Sequence, residues 1–253
     1  SFKKEKHFFP QDKALKKQYI TAGAVCGAML AISVNFQQFG ISTYPAGAAA
    51  EARSGFITAL YVVFVPLLSF FFGKKVSPVI WASVAVAVVG FYMLCLSGGI
   101  SGIYTADILV FICAFCFAGQ IISVDKFVGL TGGVKLSVMQ FTVAGALSAV
   151  FAVIFESPTM ENIIAAAPQI LYLGIVSSGV GYTLQIVGQK YAEPSVASLS
   201  MSLESVFAAL GGWLISGNTL TGREFIGCAL VFAAIIVAQI PEMAGSRKRA
   251  NSP

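Results

Sequence analysis

The chain reads as an all-α, polytopic transmembrane bundle of eight spans. Three observations point there. Eight apolar stretches fill it from about Tyr19 to about Ile240, each near the roughly 20 residues that a bilayer core requires. Of its 253 residues, 57% are hydrophobic and only 11% charged, and the stretches lack the charged opposite face of a soluble amphipathic helix. Fourteen of its sixteen Lys and Arg residues fall on one side once the stretches are threaded back and forth. Backbone groups in lipid must be paired within their own segment, so each stretch is expected to be a helix.

The first span, Tyr19–Ser42, follows a lysine-rich opening. It carries Gly23-Ala24-Val25-Cys26-Gly27, a GxxxG spacing that lets helices approach closely, whether as a fixed seam or a sliding one. Tyr44-Pro45-Ala46-Gly47 breaks the chain before the second span, Ala52–Gly73, which Pro66 is expected to interrupt and kink. Gly73-Lys74-Lys75 closes it, and Pro78 opens the third span, Pro78–Leu96, which ends at Ser97-Gly98-Gly99. The fourth, Ala106–Val124, stops at the polar pair Asp125-Lys126, with a linker from Gly129 to Gly133. The fifth, Lys135–Phe155, ends at Glu156-Ser157-Pro158. In the sixth, Pro168–Gly188, the run Ser177-Ser178-Gly179-Val180-Gly181 should loosen the helix. Ala192-Glu193-Pro194 opens the seventh, Pro194–Ser216, which Gly211-Gly212 thins; Gly217-Asn218 then leads to the eighth, Glu224–Ile240.

Orientation follows from charge. One side collects the lysines of the opening segment, Lys74, Lys75, Lys126, Lys135, Lys190 and the closing Arg247-Lys248-Arg249; the other has Arg53 and Arg223. Basic excess marks the cytoplasmic side, so both termini are expected in the cytosol; a bacterial plasma membrane is the expected location. The net charge of +5 is this bias rather than the footprint of a nucleic acid, so no nucleic-acid partner is expected. Ser1 stands where Met would, and no apolar leader precedes Tyr19; further sequence is expected upstream. Cys26, Cys95, Cys113, Cys116 and Cys228 all fall within spans. Cys113 and Cys116 form a C-x-x-C, but with neither a second pair nor a nearby histidine they read as buried thiols; no metal and no cofactor are expected.

Two stretches carry a family resemblance. One is Gly55-Phe56-Ile57-Thr58-Ala59-Leu60-Tyr61-Val62-Val63-Phe64-Val65-Pro66-Leu67-Leu68 with Gly73 to Pro78; the other is Gly181-Tyr182-Thr183-Leu184-Gln185, Gln189-Lys190-Tyr191, Pro194 to Ala197, and Ser202 to Ala209. Both resemble the drug/metabolite transporter superfamily, of the EamA-domain type. The resemblance implies two inverted repeats of five helices. On that pattern residues 1–18 form a cytoplasmic basic segment and 19–96 the last three helices of the first repeat. Residues 106–240 form the second repeat and 241–253 a cytoplasmic basic tail, the first two helices being absent. An offset of 144 superposes Gly73 on Gly217, Ser77 on Thr221 and Ser83 on Gly227. Family members often carry Glu after the Gly at these two helix ends; here Lys74 and Asn218 stand there, so that acid is not carried over.

Glu204 is the main candidate for chemistry. It lies ten residues into the seventh span, about 15 Å deep, where a carboxylate is costly and is expected to face the bundle interior or a wet cavity. Ala197, Ser200, Ala208 and Gly211 would share its side. It could be a structural carboxyl bonded across helices, a proton-coupling acid, or the counter-charge of a cationic solute. Tyr61, Tyr182, Gln185, Gln120 and Asn35 also sit at membrane depth, as do Gln37, Gln38 and Gln140, and each should point inward. They could be interhelical glue or the lining of a solute cavity. Gln37 and Gln38 cannot both face inward, because neighbours on a helix point about 100° apart. Pro66, Gly179 and Gly181 are the candidates for helix flexibility.

No phosphate-binding loop and no catalytic constellation is present in the sequence, and no enzyme activity is expected. The expected function is a secondary-active transporter, an exporter of small metabolites or drugs working by alternating access around a midplane site. The alternative is a membrane scaffold or partner-binding protein without transport. Lipid and a small solute are the expected partners, and a homodimer is left open.

Overall fold

The computed structural model describes residues 8–45, 50–96, 103–156, 159–207, 210 and 221–250, with backbone alone at 51–52, 94–95 and 242–250. Among the described residues all regular structure is helical. In chain order the elements are α1 (Lys13–Thr43), α2 (Ala50–Ala59), α3 (Tyr61–Phe71), α4 (Pro78–Cys95), α5 (Thr105–Thr131), α6 (Gly133–Phe155), α7 (Met160–Ala165) and α8 (Ala167–Leu171). A π-helix (Tyr172–Tyr182) follows, then α9 (Thr183–Gln189) and α10 (Pro194–Met201); α11 (Gly222–Ala250) is the last helix. Among the described residues, six helical stretches are long and apolar enough to cross a membrane: Lys13–Thr43, Arg53–Phe71, Thr105–Thr131, Gly133–Phe155, Ala167–Gln189 and Gly222–Pro241. Pro78–Met93 is a shorter apolar helix.

The helix ends follow local chemistry. Gly73 stops α3 at φ +80, with its N–H on the Phe70 carbonyl and the Lys74 N–H on that of Ser69, the double closure that glycine favours past a helix end. Ser77 caps α4 by accepting the Val79 N–H, and Pro78 fills the first helical position. Gly132, at φ +79, is the whole turn between α5 and α6. Thr221 and Glu224 form a reciprocal capping box on α11: Glu224 accepts the Thr221 N–H at 2.8 Å and Thr221 accepts the Glu224 N–H at 3.3 Å.

Three sequence expectations change. The second span is interrupted at Leu60, six residues ahead of Pro66, which lies buried inside α3. A proline strains the turn that precedes it, and here the chain takes up that strain with tightened bonds, Leu60 N–H to Ile57 and Val63 N–H to Leu60. The seventh span is not continuous. α10 ends at Met201, Ser202 forms a turn, and helix resumes over 203–207. Ser198 and Ser202 donate their hydroxyls back to the carbonyls of Ser195 and Leu199, a competition that bends helices. The remainder of that span, with Gly211-Gly212, lies outside the described residues. The Gly129 to Gly133 linker shrinks to Gly132, because α5 runs on through Asp125-Lys126 to Thr131.

The chain divides into two compact units. The first comprises residues 1–32 and 122–192. Its core joins Tyr19, Ala22 and Cys26 of α1 to Val124, Val128, Leu136, Met139 and Ile186. The GxxxG stripe packs closely against α6: a Cβ on Gly23 would lie 2.6 Å from Met139 Cβ, and one on Gly27 would lie 2.6 Å from Val143 Cβ and 2.7 Å from the Gln140 carbonyl oxygen. The second unit comprises residues 33–121 and 193–253. α4 and α11 form its centre, with Ile80, Val84, Ala87 and Phe91 packed on Cys228, Val231, Ala234, Ile235 and Ala238.

Candidate functional site

The second unit buries an ion pair between Arg53 and Asp107. Asp107 sits in the first turn of α5, where a carboxylate complements the helix dipole and accepts the Tyr104 N–H at 2.8 Å. Arg53 sits near the start of α2, where the same dipole disfavours a cation, and Asp107 offsets it. The guanidinium grips the carboxylate side-on along one edge, Nη2 to Oδ2 at 2.6 Å and Nε to Oδ1 at 3.2 Å. Tyr44, the residue after α1, donates its hydroxyl to Oδ1 at 2.6 Å. Tyr104 lies under the guanidinium, 4.7 Å from ring centroid to Cζ, and meets Tyr44 edge-on at 6.1 Å. The Arg53 and Asp107 side chains keep only 7% and 11% of their surface. Ends of three helices are thus fastened to one carboxylate. Burial, then the bond and charge of Asp107, push the Tyr44 phenol above its ordinary range. Tyr44→Phe removes a hydrogen bond to a charged group; thermal unfolding in detergent is expected to show a loss of about 1.5–3 kcal/mol.

Beside the ion pair lies a cavity of about 280 Å³ lined by Arg53, Phe56, Ile57, Leu60, Leu96, Ile103, Asp107, Ile108 and Phe111. Its walls are apolar and its polar groups are confined to the Arg53–Asp107 end, the pattern of a small-molecule pocket. Phe111 is held in place edge-on against Phe64, at 5.2 Å, which in turn meets Phe115 at 5.6 Å. Elsewhere in the same unit Gln37 donates to Thr58 Oγ1 at 3.3 Å.

The sequence candidates distribute between the units. Asn35 is half-buried, Gln120 buried and Tyr61 half-buried against the α4–α11 core, all in the second unit. Gln37 faces inward and Gln38 is exposed, as their spacing requires. Glu204 also belongs to the second unit but is exposed, just past the Ser202 turn. The face it was expected to share with Ala197 and Ser200 is broken there, and Ala208 and Gly211 lie outside the described residues. Tyr182 and Gln185 belong to the first unit, both half-buried, with the Tyr182 ring edge-on to Phe141 at 6.0 Å. Gln140 is buried in α6 of the same unit. Gly179 and Gly181 lie within the π-helix, and the Gly179 backbone sits against the Gly174 carbonyl. Cys26, Cys113, Cys116 and Cys228 are free thiols, and the Cys95 side chain lies outside the described residues. Among the described residues no cluster of His, Cys, Asp and Glu could hold a metal.

Sequence reasoning missed the Arg53–Asp107 pair. The signal was present: Arg53 stands on the side that basic residues avoid, and an acid and a base each begin an apolar helix.

Comparison with known proteins agrees with this architecture. The model of the EamA-like transporter family matches residues 104–239. The chain is 32% identical over 189 residues to an uncharacterized transporter of Archaeoglobus fulgidus, an alignment covering 74% of this chain and 60% of that protein. The chain therefore spans about 60% of that relative's length. A second uncharacterized transporter of the same organism is 33% identical over 66 residues, 26% of this chain and 24% of that one. A solved structure, described only as "Crystal structure of protein", shares the fold with a TM-score of 0.66 at 18% identity, covering 89% of this chain and 87% of its own. A family model that accounts for more than half of the sequence, on an all-helical fold with six membrane-length helices, shows that the chain belongs to the EamA-like transporter family.

Proposed function

We propose that this chain is a secondary-active membrane transporter of small metabolites or drugs, working by alternating access in the direction of export. Family membership is the observation that carries the reading. The pocket beside Arg53 and Asp107 supports it, with room for a compact solute that has an apolar body and one polar group. On the orientation expected from the lysine bias, Arg53, Asp107 and Tyr44 fasten helix ends on the side away from the cytosol, with both termini inside. That joint is the outer closure of the solute path. Glu204 is the coupling carboxylate, and Pro66, Gly179 and Gly181 lie where helices give during the cycle. Tyr61, Gln120 and Asn35 in the second unit, and Tyr182 and Gln185 in the first, are the hydrogen-bonding candidates for solute.

Flux of a panel of radiolabelled metabolites and fluorescent drug-like solutes across proteoliposomes tests this. Saturable flux of at least one solute is expected, and Leu60→Trp, which fills the pocket, should reduce it at least tenfold, on the order of 1.4 kcal/mol of lost binding. Glu204→Gln should flatten its pH dependence; an unchanged rate and pH profile would remove the coupling role and leave transport standing. Flux equal to that of empty liposomes for every solute would overturn the transporter reading.

A further inference from the structure

The first unit contains a second cavity, of about 390 Å³, lined by Lys17, Gln18, Thr21, Lys126, Phe127 and Leu130. Its two walls are built alike. Lys17, Gln18 and Thr21 occupy one face of α1, and Lys126, Phe127 and Leu130 one face of α5, each at i, i+1 and i+4. The walls are tied together below the cavity, where the Tyr19 hydroxyl donates to the Leu130 carbonyl at 3.1 Å. Lys135 adds a third ammonium, 5.9 Å from the Tyr19 ring centroid. The acidic residues near this end of the two helices are Asp12, just before α1, whose carboxylate accepts the Ala14 N–H, and Asp125, which precedes Lys126 on α5; Asp107 lies at the far end of α5.

Both cavity lysines stand near the ends of α1 and α5 that the Tyr19–Leu130 bond joins. Lys17 is two residues before Tyr19, where the apolar part of α1 begins, and Lys126 stands in the last two turns of α5. Deeper along α1, Ile20 and Val25 are apolar and exposed. Ammonium groups near these helix ends, with exposed apolar side chains deeper on α1, match a molecule carrying phosphate at its polar end and hydrocarbon below. Basic pockets between membrane helices recognise such headgroups. We propose that this cavity binds the phosphate headgroup of an anionic glycerophospholipid of the surrounding leaflet, with Lys17 and Lys126 as the phosphate contacts, Gln18 and Thr21 as hydrogen-bonding partners, and Ile20 and Val25 of α1 along the upper acyl chain. The inference needs the chain to lie in a membrane and is independent of whether it moves solute.

Native mass spectrometry of the full chain in detergent tests it, with dioleoyl phosphatidylglycerol, dioleoyl phosphatidylcholine and inorganic phosphate as probes. The chain is expected to retain phosphatidylglycerol in preference to phosphatidylcholine. In Lys17→Gln/Lys126→Gln that preference should fall about 30-fold, from roughly 1 kcal/mol for each lysine. Lys17→Arg/Lys126→Arg should keep it and so report that the fold is intact. Lys13→Gln/Lys16→Gln removes the same charge from the same helix outside the cavity and should leave the preference within twofold. Equal loss in the two glutamine pairs would mean diffuse attraction and overturn the site. A preference unchanged in Lys17→Gln/Lys126→Gln would overturn it as well, and so would inorganic phosphate displacing the lipid at equal concentration, which would mark a site for soluble anions.

Discussion

Arg53→Met is expected to lower the unfolding free energy of the detergent-solubilised protein by about 3–5 kcal/mol, because it strands a carboxylate that the fold has withdrawn from solvent. The Asp107 side chain keeps 11% of its surface and is bound on one oxygen by Tyr44 and on the other by the Tyr104 N–H. Neither of those donors carries a full charge. The repair is as informative as the damage. Arg53→Met combined with Asp107→Asn removes both charges while keeping an amide oxygen for Tyr44, and replacing a buried pair by neutral groups is often nearly neutral. The double variant should recover more than half of the loss. Stepwise unfolding by SDS titration reads both numbers. A double variant no more stable than Arg53→Met would mean that the guanidinium acts through packing on Tyr104 rather than through its charge.

Gly27→Leu should produce the second large effect. A Cβ there meets the Val143 side chain and, at 2.7 Å, the Gln140 carbonyl oxygen. Side chains can swing aside, but the backbone of α6 can yield only by moving the whole helix. Overpacking of this kind costs typically 1–3 kcal/mol and occasionally more, and the clash with backbone places Gly27→Leu near about 3 kcal/mol. Gly145, on α6, has nothing within 4 Å of an added Cβ. Gly145→Ala should leave the unfolding midpoint unchanged or slightly raised. Comparable losses at the two positions would show that glycine content, and not the α1–α6 seam, sets the stability.

Most of the helical architecture was legible because lipid-length apolar runs and their breakers are local signals. Gly73, Ser77 and Pro78 act on their own neighbours, and the structure uses them as their chemistry dictates. The errors came where one local signal opposed another. Ser198 and Ser202 lie in an apolar run that averages as membrane-like, yet each hydroxyl competes for a backbone carbonyl, and the run breaks between them and Glu204. Gly129 reads as a linker residue but lies inside α5, since Thr131 and Gly132 hold their bonds to Phe127 and Val128. The candidate site was less legible for a different reason. Arg53 and Asp107 are fifty-four residues apart, and pattern along the chain carries no information on which helix ends meet. Polar residues at depth were found one by one from their cost in lipid, whereas the pocket is shaped by Phe56, Leu60 and Phe111, which look like any other apolar residues in a span.

The π-helix has a torsional consequence. Over Tyr172–Tyr182 each carbonyl reaches one residue further than in the helix that follows, so the segment is underwound and wider. Its side chains are almost all exposed, so little packing locks the winding in place. Directly after it, Thr183 holds Ser137 at 2.6 Å, and Ile186 and Gln189 are buried. Any tightening of the eleven-residue coil toward ordinary pitch would rotate Thr183–Gln189 about its own axis and swing those three side chains out of register with α6. Twist stored in one stretch of backbone therefore sets which flank the next stretch offers to its neighbour, without a hinge and without any change in sequence order.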